Sequence, residues 1–253
     1  MKLQYASDLH LEFAENRAFL KANPLKPAGD VLLLAGDIIP FRSMEDVPDF
    51  FSYLSDHFRA TYWIPGNHEY YHFDASMKSG TFKENIRSNV FLLNNSSAIE
   101  GQCKLIFSTL WSKISDRNQW RIERGMNDFR LIKYLDKRLS VQLYNQFHTE
   151  SLAFIRKDLT EDVVELKKVV VSHHAPTFQN YPPEYLGDAL NEAFATDLDW
   201  LIESAQPDYW LYGHHHRNIP EFKIGNTGLI TNQLGYVRYG EHYQFEHDKT
   251  ISI

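Results

Sequence analysis

Apolar residues in this chain gather into short unbroken runs, each ending in glycine, histidine, asparagine or a carboxylate. The clearest run, Val31-Leu32-Leu33-Leu34-Ala35, passes through Gly36 into Asp37. A run that is apolar at every position predicts a strand buried on both faces, as in parallel sheets with cover on each side. Four further stretches share this grammar. Leu3 to Ser7 leads into Asp8 and His10, and Tyr62-Trp63-Ile64 leads through Pro65-Gly66 into Asn67-His68-Glu69. Val169 to Ser172 leads into His173-His174, and Tyr209 to Tyr212 leads through Gly213 into His214-His215-His216. Open α/β sheets bind ligands just beyond the carboxyl ends of their strands. The pattern therefore predicts five strand ends converging on one site, with Asp37 at its centre.

Between these runs, Phe50, Phe51, Leu54 and Phe58 recur at helical spacing ahead of the Tyr62 strand. Helix and strand in alternation predict crossover units and a largely parallel sheet. Val90 to Leu93 and Lys104 to Thr109 read as further strands, parted by the turn-rich Asn94-Asn95-Ser96-Ser97. From Trp111 to about Thr160 the chain changes character, first rich in Trp, Arg and Asn, then helical through Val141, Tyr144, Phe147 and Ile155. This stretch is either a helical layer packed on the sheet or a lid over the site, since long insertions in compact domains are often functional. Residues 177–191 form a second irregular stretch, and 193–204 is helical by pattern. The tail carries strand-like pieces at 221–224, 229–231 and 243–245. No repeat or linker divides the chain, so one domain over 1–253 is expected, with an insertion at about 111–160.

Composition narrows the function classes. With 253 residues, 43% hydrophobic and 23% charged, the chain has the make-up of a soluble globular protein. A formal net charge of -7 argues against general binding to nucleic acid or anionic membranes. The single cysteine, Cys103, precludes an intrachain disulfide and fits a reducing compartment, and its strand-like neighbours predict a buried, inert thiol. No apolar run approaches the roughly 20 residues of a membrane span. The first strand run begins at Leu3, so no signal peptide is expected, and a cytoplasmic location is.

Carboxylates, imidazoles and an amide brought together without a cation would carry a heavy desolvation cost, which metal coordination offsets. Asp8-x-His10, Gly36-Asp37, Gly66-Asn67-His68-Glu69, His173 and Gly213-His214-x-His216 resemble, in order, the five motif blocks of the calcineurin-like metallophosphoesterase superfamily. The block Ser172 to Pro176, Asn226-Thr227-Gly228 and the stretch Asn232 to Tyr236 are similar to a bacterial branch of small phosphohydrolases. The resemblance implies an α/β fold of two facing mixed β-sheets flanked by helices, a four-layer sandwich. It implies one metal ion held by Asp8, His10, Asp37 and His216, and a second held by Asp37, Asn67, His173 and His214. Asp37 would bridge the two, and His174 would stand behind the ligands. His68 would protonate the leaving oxygen, oriented by Glu69, Asp74 or an acid elsewhere. Mixed imidazole, carboxylate and amide donors suit Mn, Fe or Zn. Two such ions can share a hydroxide and clamp phosphoryl oxygens for in-line attack. No serine or cysteine sits in a nucleophile-elbow pattern that would offer another route.

The expected activity is thus hydrolysis of a small phosphodiester or phosphomonoester by a metal-bridging hydroxide. The alternative is a non-catalytic metal-binding scaffold of the same fold, although such scaffolds lose ligands or the acid histidine and this chain keeps them. Two departures from the family pattern matter. His215 stands where a small residue is usual and is predicted to face the substrate. The phosphate-binding arginines of protein phosphatases are missing, with Ile38 and Ile39 after Asp37 and Pro65 before Gly66. Charge neutralisation is therefore predicted from Arg124 or Arg130, whose planar forks match two phosphate oxygens.

Overall fold

The computed structural model describes residues 1–161 and 166–253. Its strands in the first half are β1 (Lys2–Ala6), β2 (Val31–Ala35), β3 (Ala60–Ile64), β4 (Phe82–Arg87), β5 (Val90–Asn94), β6 (Ser96–Glu100) and β7 (Cys103–Ser108). A short hairpin, β8 (Lys133–Tyr134) and β9 (Lys137–Arg138), precedes β10 (Lys167–Ser172) and β11 (Tyr209–Leu211). β12 (Phe222–Ile224), β13 (Thr227–Ile230) and β14 (Thr250–Ser252) complete the set. The helices are α1 (Ala14–Ala22), α2 (Pro48–His57), α3 (Gln119–Gly125), α4 (Asp128–Leu131), α5 (Val141–Thr160) and α6 (Asp199–Ala205).

Two six-stranded sheets form, in the orders β14-β1-β2-β3-β5-β4 and β12-β13-β11-β10-β7-β6. In each, four central strands run parallel and the two edge strands run antiparallel. Alternate residues of β2 explain why its sequence is apolar throughout. Val31, Leu33 and Ala35 join the core between the sheets, against Leu105, Phe107, Val169 and Val171 of the second sheet. Leu32 and Leu34 point the other way, into a core shared with α2 and the 111–147 segment. The outer face of the second sheet packs Ile106, Val170, Trp210 and Leu229 against residues of α5 and α6. The result is the expected helix–sheet–sheet–helix layering.

Three stretches differ from the sequence reading. Asn94-Asn95-Ser96-Ser97 is not a wide turn: β5 ends at Asn94, β6 begins at Ser96, and the chain crosses from one sheet to the other at Asn95, whose φ is 44°. The polar side chains pin that crossing, Asn94 Oδ1 accepting from the Thr109 amide at 2.7 Å and Asn95 Oδ1 from the Ser108 hydroxyl at 2.7 Å. The piece at 243–245 is not a strand, because Glu241–Gln244 winds into a 3-10 turn and leaves Tyr243 exposed. The strand that closes the first sheet is β14, paired antiparallel to β1. The helix expected over 193–204 is confined to Asp199–Ala205, because Ala195 is held extended in a bridge to Ala175.

Part of the 111–160 segment packs as a layer on the first sheet. Trp111, Ile122, Phe129, Tyr144 and Phe147 are buried in the same core as Leu32, Leu34 and Trp63. Cys103 is buried between the sheets, and burial pushes its thiol up to about 12. Among the described residues, no helix is long and apolar enough to cross a membrane.

Candidate metal centre and cleft

The carboxyl ends of β1, β2, β3, β10 and β11 meet at one edge of the two sheets, and each is followed by a sharp turn. Asp8, His10, Asp37, His214 and His216 all have positive φ, between 47° and 80°. Left-handed backbone in residues other than glycine costs roughly 1–2 kcal/mol each, and such strain concentrates at functional sites. The turns answer how His214 and His216 can face different ways although they are two residues apart: left-handed geometry at both rotates one imidazole toward His173 and the other toward His10. Glycine is required where strand ends approach most closely. A Cβ at Gly66 would overlap the Asp37 carboxylate and the His173 ring, and one at Gly36, with φ at 90°, would overlap His173 as well.

Glu69 clips the loops together rather than serving His68. Its carboxylate accepts from the amides of Asp37 at 2.9 Å, Ile38 at 2.7 Å and Gly66 at 2.7 Å, and from the Trp63 indole at 3.0 Å. Burial raises the Glu69 carboxyl to about 7 even against those hydrogen bonds. Asp74 is also not the partner of His68, since it caps the turn at Ala75–Met77 and accepts from the Leu135 and Asp136 amides.

Two sets of donors flank Asp37. In the first corner, His10 Nε2 lies 2.9 Å from His216 Nε2 and 3.7 Å from Asp37 Oδ2, while His216 Nε2 lies 3.4 Å from Asp8 Oδ1. Both outer nitrogens face carboxylates, His10 Nδ1 meeting Glu12 Oε1 at 3.0 Å and His216 Nδ1 meeting Glu241 Oε2 at 2.8 Å. Burial lowers His10 to about 4, but hydrogen bonds to Asp8 and Glu241 outweigh burial at His216 and hold it up at about 9. Burial opposes charge on Asp8 as well, yet the hydrogen bond and charge of His216 keep its carboxyl below the usual range.

In the second corner, His173 Nε2 lies 3.0 Å from His214 Nδ1, 3.2 Å from Asn67 Oδ1 and 3.5 Å from Asp37 Oδ2. Here the outer nitrogens donate to carbonyls, His173 Nδ1 to Ala35 at 2.9 Å and His214 Nε2 to Ala193 at 3.3 Å. A carbonyl can only accept, so each of those nitrogens carries the proton of a neutral ring. Burial lowers His173 to about 4 and holds His214 well below its ordinary value. The inner nitrogens are therefore bare, and two lone pairs face each other at 3.0 Å. Asn67 presents its oxygen to the same point because its amide nitrogen donates to Asp128 Oδ1 at 2.9 Å. Burial, with the charges of Glu69 and Asp8, pushes the Asp37 carboxyl well above the ordinary range. Each feature is relieved by a cation, so the residues present fit metal ions.

His68 sits at the rim of this centre. Its backbone amide donates to Asp37 Oδ1 at 2.9 Å, its Nδ1 meets Glu12 Oε1 at 2.8 Å, and its Nε2 is 3.4 Å from the Tyr236 hydroxyl. One carboxylate oxygen thus serves both His10 and His68. Hydrogen bonds and charges from the two imidazoles outweigh burial and keep the Glu12 carboxyl below its ordinary range.

The centre opens into a cleft of about 630 Å³, lined among others by Phe13, Arg42, Tyr71, Met126, Phe194 and Tyr236. Arg42 is the one lysine or arginine among the residues lining it. His215 does not face this cleft. It is buried with its ring edge-on to Tyr212, and its Nδ1 accepts from the Arg217 amide and the Gln233 side chain. Arg124 and Arg130 do not reach the cleft either. The corner between α3 and α4 turns Gly125, Met126 and Asn127 toward it and places both arginines along a separate groove. Arg124 stacks on Trp120, and Arg130 donates to the Arg124 carbonyl.

Sequence reasoning missed Glu12, Asp128, Glu241, Tyr236 and Arg42. A signal existed for Glu12, the third member of the alternation Asp8-x-His10-x-Glu12. Tyr236 closes the Asn232 to Tyr236 stretch and Arg42 follows Asp37 by five residues, but nothing in the sequence turned either toward the cleft; Asp128 and Glu241 come from distant segments with no local pattern to mark them.

Residues 1–218 match the family model described as calcineurin-like phosphoesterase. Protein L509 of Acanthamoeba polyphaga mimivirus is 33% identical, over 92% of this chain and 91% of that protein. The crystal structure of phosphopantetheinyl hydrolase (PptH) from Mycobacterium tuberculosis superposes with a TM-score of 0.73 at 16% identity. That superposition covers 99% of this chain and 95% of the other, and it shows a shared fold.

Proposed function

The chain belongs to the calcineurin-like phosphoesterase family, and from that premise we propose that it is a dinuclear, metal-dependent hydrolase of small phosphoesters. The observation that carries this reading is the second corner, where two neutral imidazoles aim bare nitrogens at one point 3.0 Å apart with no proton to share. Asp37 stands within 3.7 Å of a nitrogen in each corner through the same oxygen, the position from which it would serve both ions. Asp8, His10 and His216 complete one set, and Asn67, His173 and His214 the other. The donor chemistry suits Mn, Fe or Zn. When bound, such a pair of ions supplies Lewis acidity and activates water at neutral pH.

The chain's own residues do the rest. Glu12 fixes His68 with Nδ1 toward the carboxylate and Nε2 toward the cleft, the orientation in which a proton on Nε2 can pass to a leaving oxygen. Tyr71 packs against the His68 ring with centroids 4.1 Å apart and limits its rotation. The aromatic wall of Phe13, Phe194 and Tyr236 gives an organic arm of the ester an apolar surface. Elemental analysis together with turnover of p-nitrophenyl phosphate and its bis-ester in Mn²⁺ tests the proposal and ranks monoester against diester. Two ions per chain with turnover is the expected result. Ion binding without turnover of any phosphoester would make the protein a scaffold.

A further inference from the structure

Beside the catalytic cleft, on the far side of the α3–α4 corner, lies a groove of about 670 Å³ with Arg124, Arg130 and Arg138 along it and Trp120 at its edge. We infer that this groove binds a second phosphate group of the substrate, so that the substrate is an extended phosphoester with a charged arm; this rests on the proposed hydrolase activity. Charge is the first observation. Between residues 116 and 138 the sequence carries seven Lys and Arg against four Asp and Glu, in a chain whose net charge is -7. One of those acids, Asp128, is buried and turned toward Asn67. The arginine–carboxylate pairs among the described residues lie elsewhere, at Arg59–Glu100 and Arg217–Glu184. Arg124, Arg130 and Arg138 line the groove with one carboxylate, Glu123, and among the described residues none of the three is in an ion pair, so the concavity keeps an excess of positive charge that an oxyanion relieves.

Position is the second observation. Gly125 to Asn127 line the cleft, while Arg124 on one side of them and Arg130 on the other line the groove. An ester whose phosphorus lies at Asp37 therefore reaches the groove by passing over this one corner. Volume favours a small molecule, since cavities for such ligands run from about 300 to 1,000 Å³. The stack of Arg124 on Trp120, 4.2 Å from the ring centroid, holds that guanidinium extended and offers an optical reporter.

Trp120 is 65% exposed and Trp200 49%, with the other tryptophans buried, so Trp200→Phe leaves Trp120 as the one exposed tryptophan. In that background, titration with inorganic tripolyphosphate is expected to change Trp120 fluorescence saturably. Arg124→Gln with Arg138→Gln should weaken the binding by about tenfold or more, the scale of lost charge-assisted hydrogen bonds. Kinetics then tie the anion to the substrate. Adding a 3′-phosphate to the p-nitrophenyl ester of thymidine 5′-phosphate should lower KM in the wild type, and the advantage should vanish in the double variant. Absence of saturable tripolyphosphate binding, or equal binding in the double variant, overturns the site. Binding of polyglutamate or single-stranded DNA in place of tripolyphosphate overturns it in favour of a macromolecular partner. Tripolyphosphate binding with no effect of the 3′-phosphate on KM overturns the link to substrate. If no phosphoester is turned over at all, the hydrolase reading fails, while the fluorescence titration still decides whether the groove takes phosphate.

Discussion

The two corners that share Asp37 are built from similar donors and held by different means. His10 and His216 are backed by the carboxylates Glu12 and Glu241. His173 and His214 are backed by the carbonyls of Ala35 and Ala193. A carbonyl fixes the tautomer and the ring plane. A carboxylate does this too and adds a negative charge that makes the imidazole more basic. One carboxylate does not outweigh burial, since His10 beside Glu12 is lowered to about 4 like His173, but two do: hydrogen bonds to both Asp8 and Glu241 hold His216 up at about 9. At His216 the first corner therefore favours a proton as well as a metal ion. The second offers neutral lone pairs that a proton does not fill.

The largest effect expected from breaking this arrangement is at the residue common to both corners. Asp37→Ala should lower bound metal at both positions and abolish turnover, as read by elemental analysis and a bis-p-nitrophenyl phosphate assay. Two ions per chain retained at wild-type affinity would show that Asp37 is not shared. Next in size is His68→Ala, which should keep its metal and lose about 10²–10⁴ in rate for esters with poor leaving groups. Esters of p-nitrophenol, which departs as an anion, should lose less. Equal losses across leaving groups would remove the general-acid role.

The backing groups allow the corners to be weakened one at a time. Glu12→Gln should reduce affinity for one ion by about 10–100-fold, the range for partners that orient metal ligands. Asp128→Ala should act on the other ion, because Asn67 then loses the acceptor that directs its amide oxygen inward. Calorimetric titration of metal-free protein resolves the two affinities, and a parallel loss at both in either variant would erase the distinction drawn here.

The smallest effect is a slope against pH. His216 is protonated below about 9, so an ion entering the first corner must displace that proton. Affinity there should rise with pH up to about 9 more steeply than in the second corner, because the Asp37 carboxyl, held up by burial, must lose its proton for either ion while His173, neutral above about 4, adds no further dependence. In the metal-free chain the sign for folding is opposite. The contribution of His216 to stability is complete below its ordinary value of 6.5 and is lost as pH rises through about 9. Metal affinities measured between pH 6 and 9 and rising in parallel for both ions would contradict the assignment.

Local pattern in the chain was enough to determine the strands that are apolar throughout and the ligating types at their ends. Burial on both faces forces every position of β2 to be apolar, and the lips of five such strands leave few places for a polar cluster to go. The same logic was blind to β4 and β6, edge strands with a solvated face and polar composition, and to which piece of the tail would pair with β1. What only the tertiary structure decided is everything that depends on orientation or on distance along the chain. The left-handed turns that send His214 and His216 to different corners are set by the packing of the loops around Asp8 and Gln233, not by the residues' own preferences. Asp128 reaches Asn67 from 61 residues away, and Glu241 reaches His216 from 25 residues away. The turn between α3 and α4 carried Arg124 and Arg130 out of the cleft in which their chemistry alone had placed them. Residue type fixes what a side chain can bind, but a rotation of one turn fixes what it can touch.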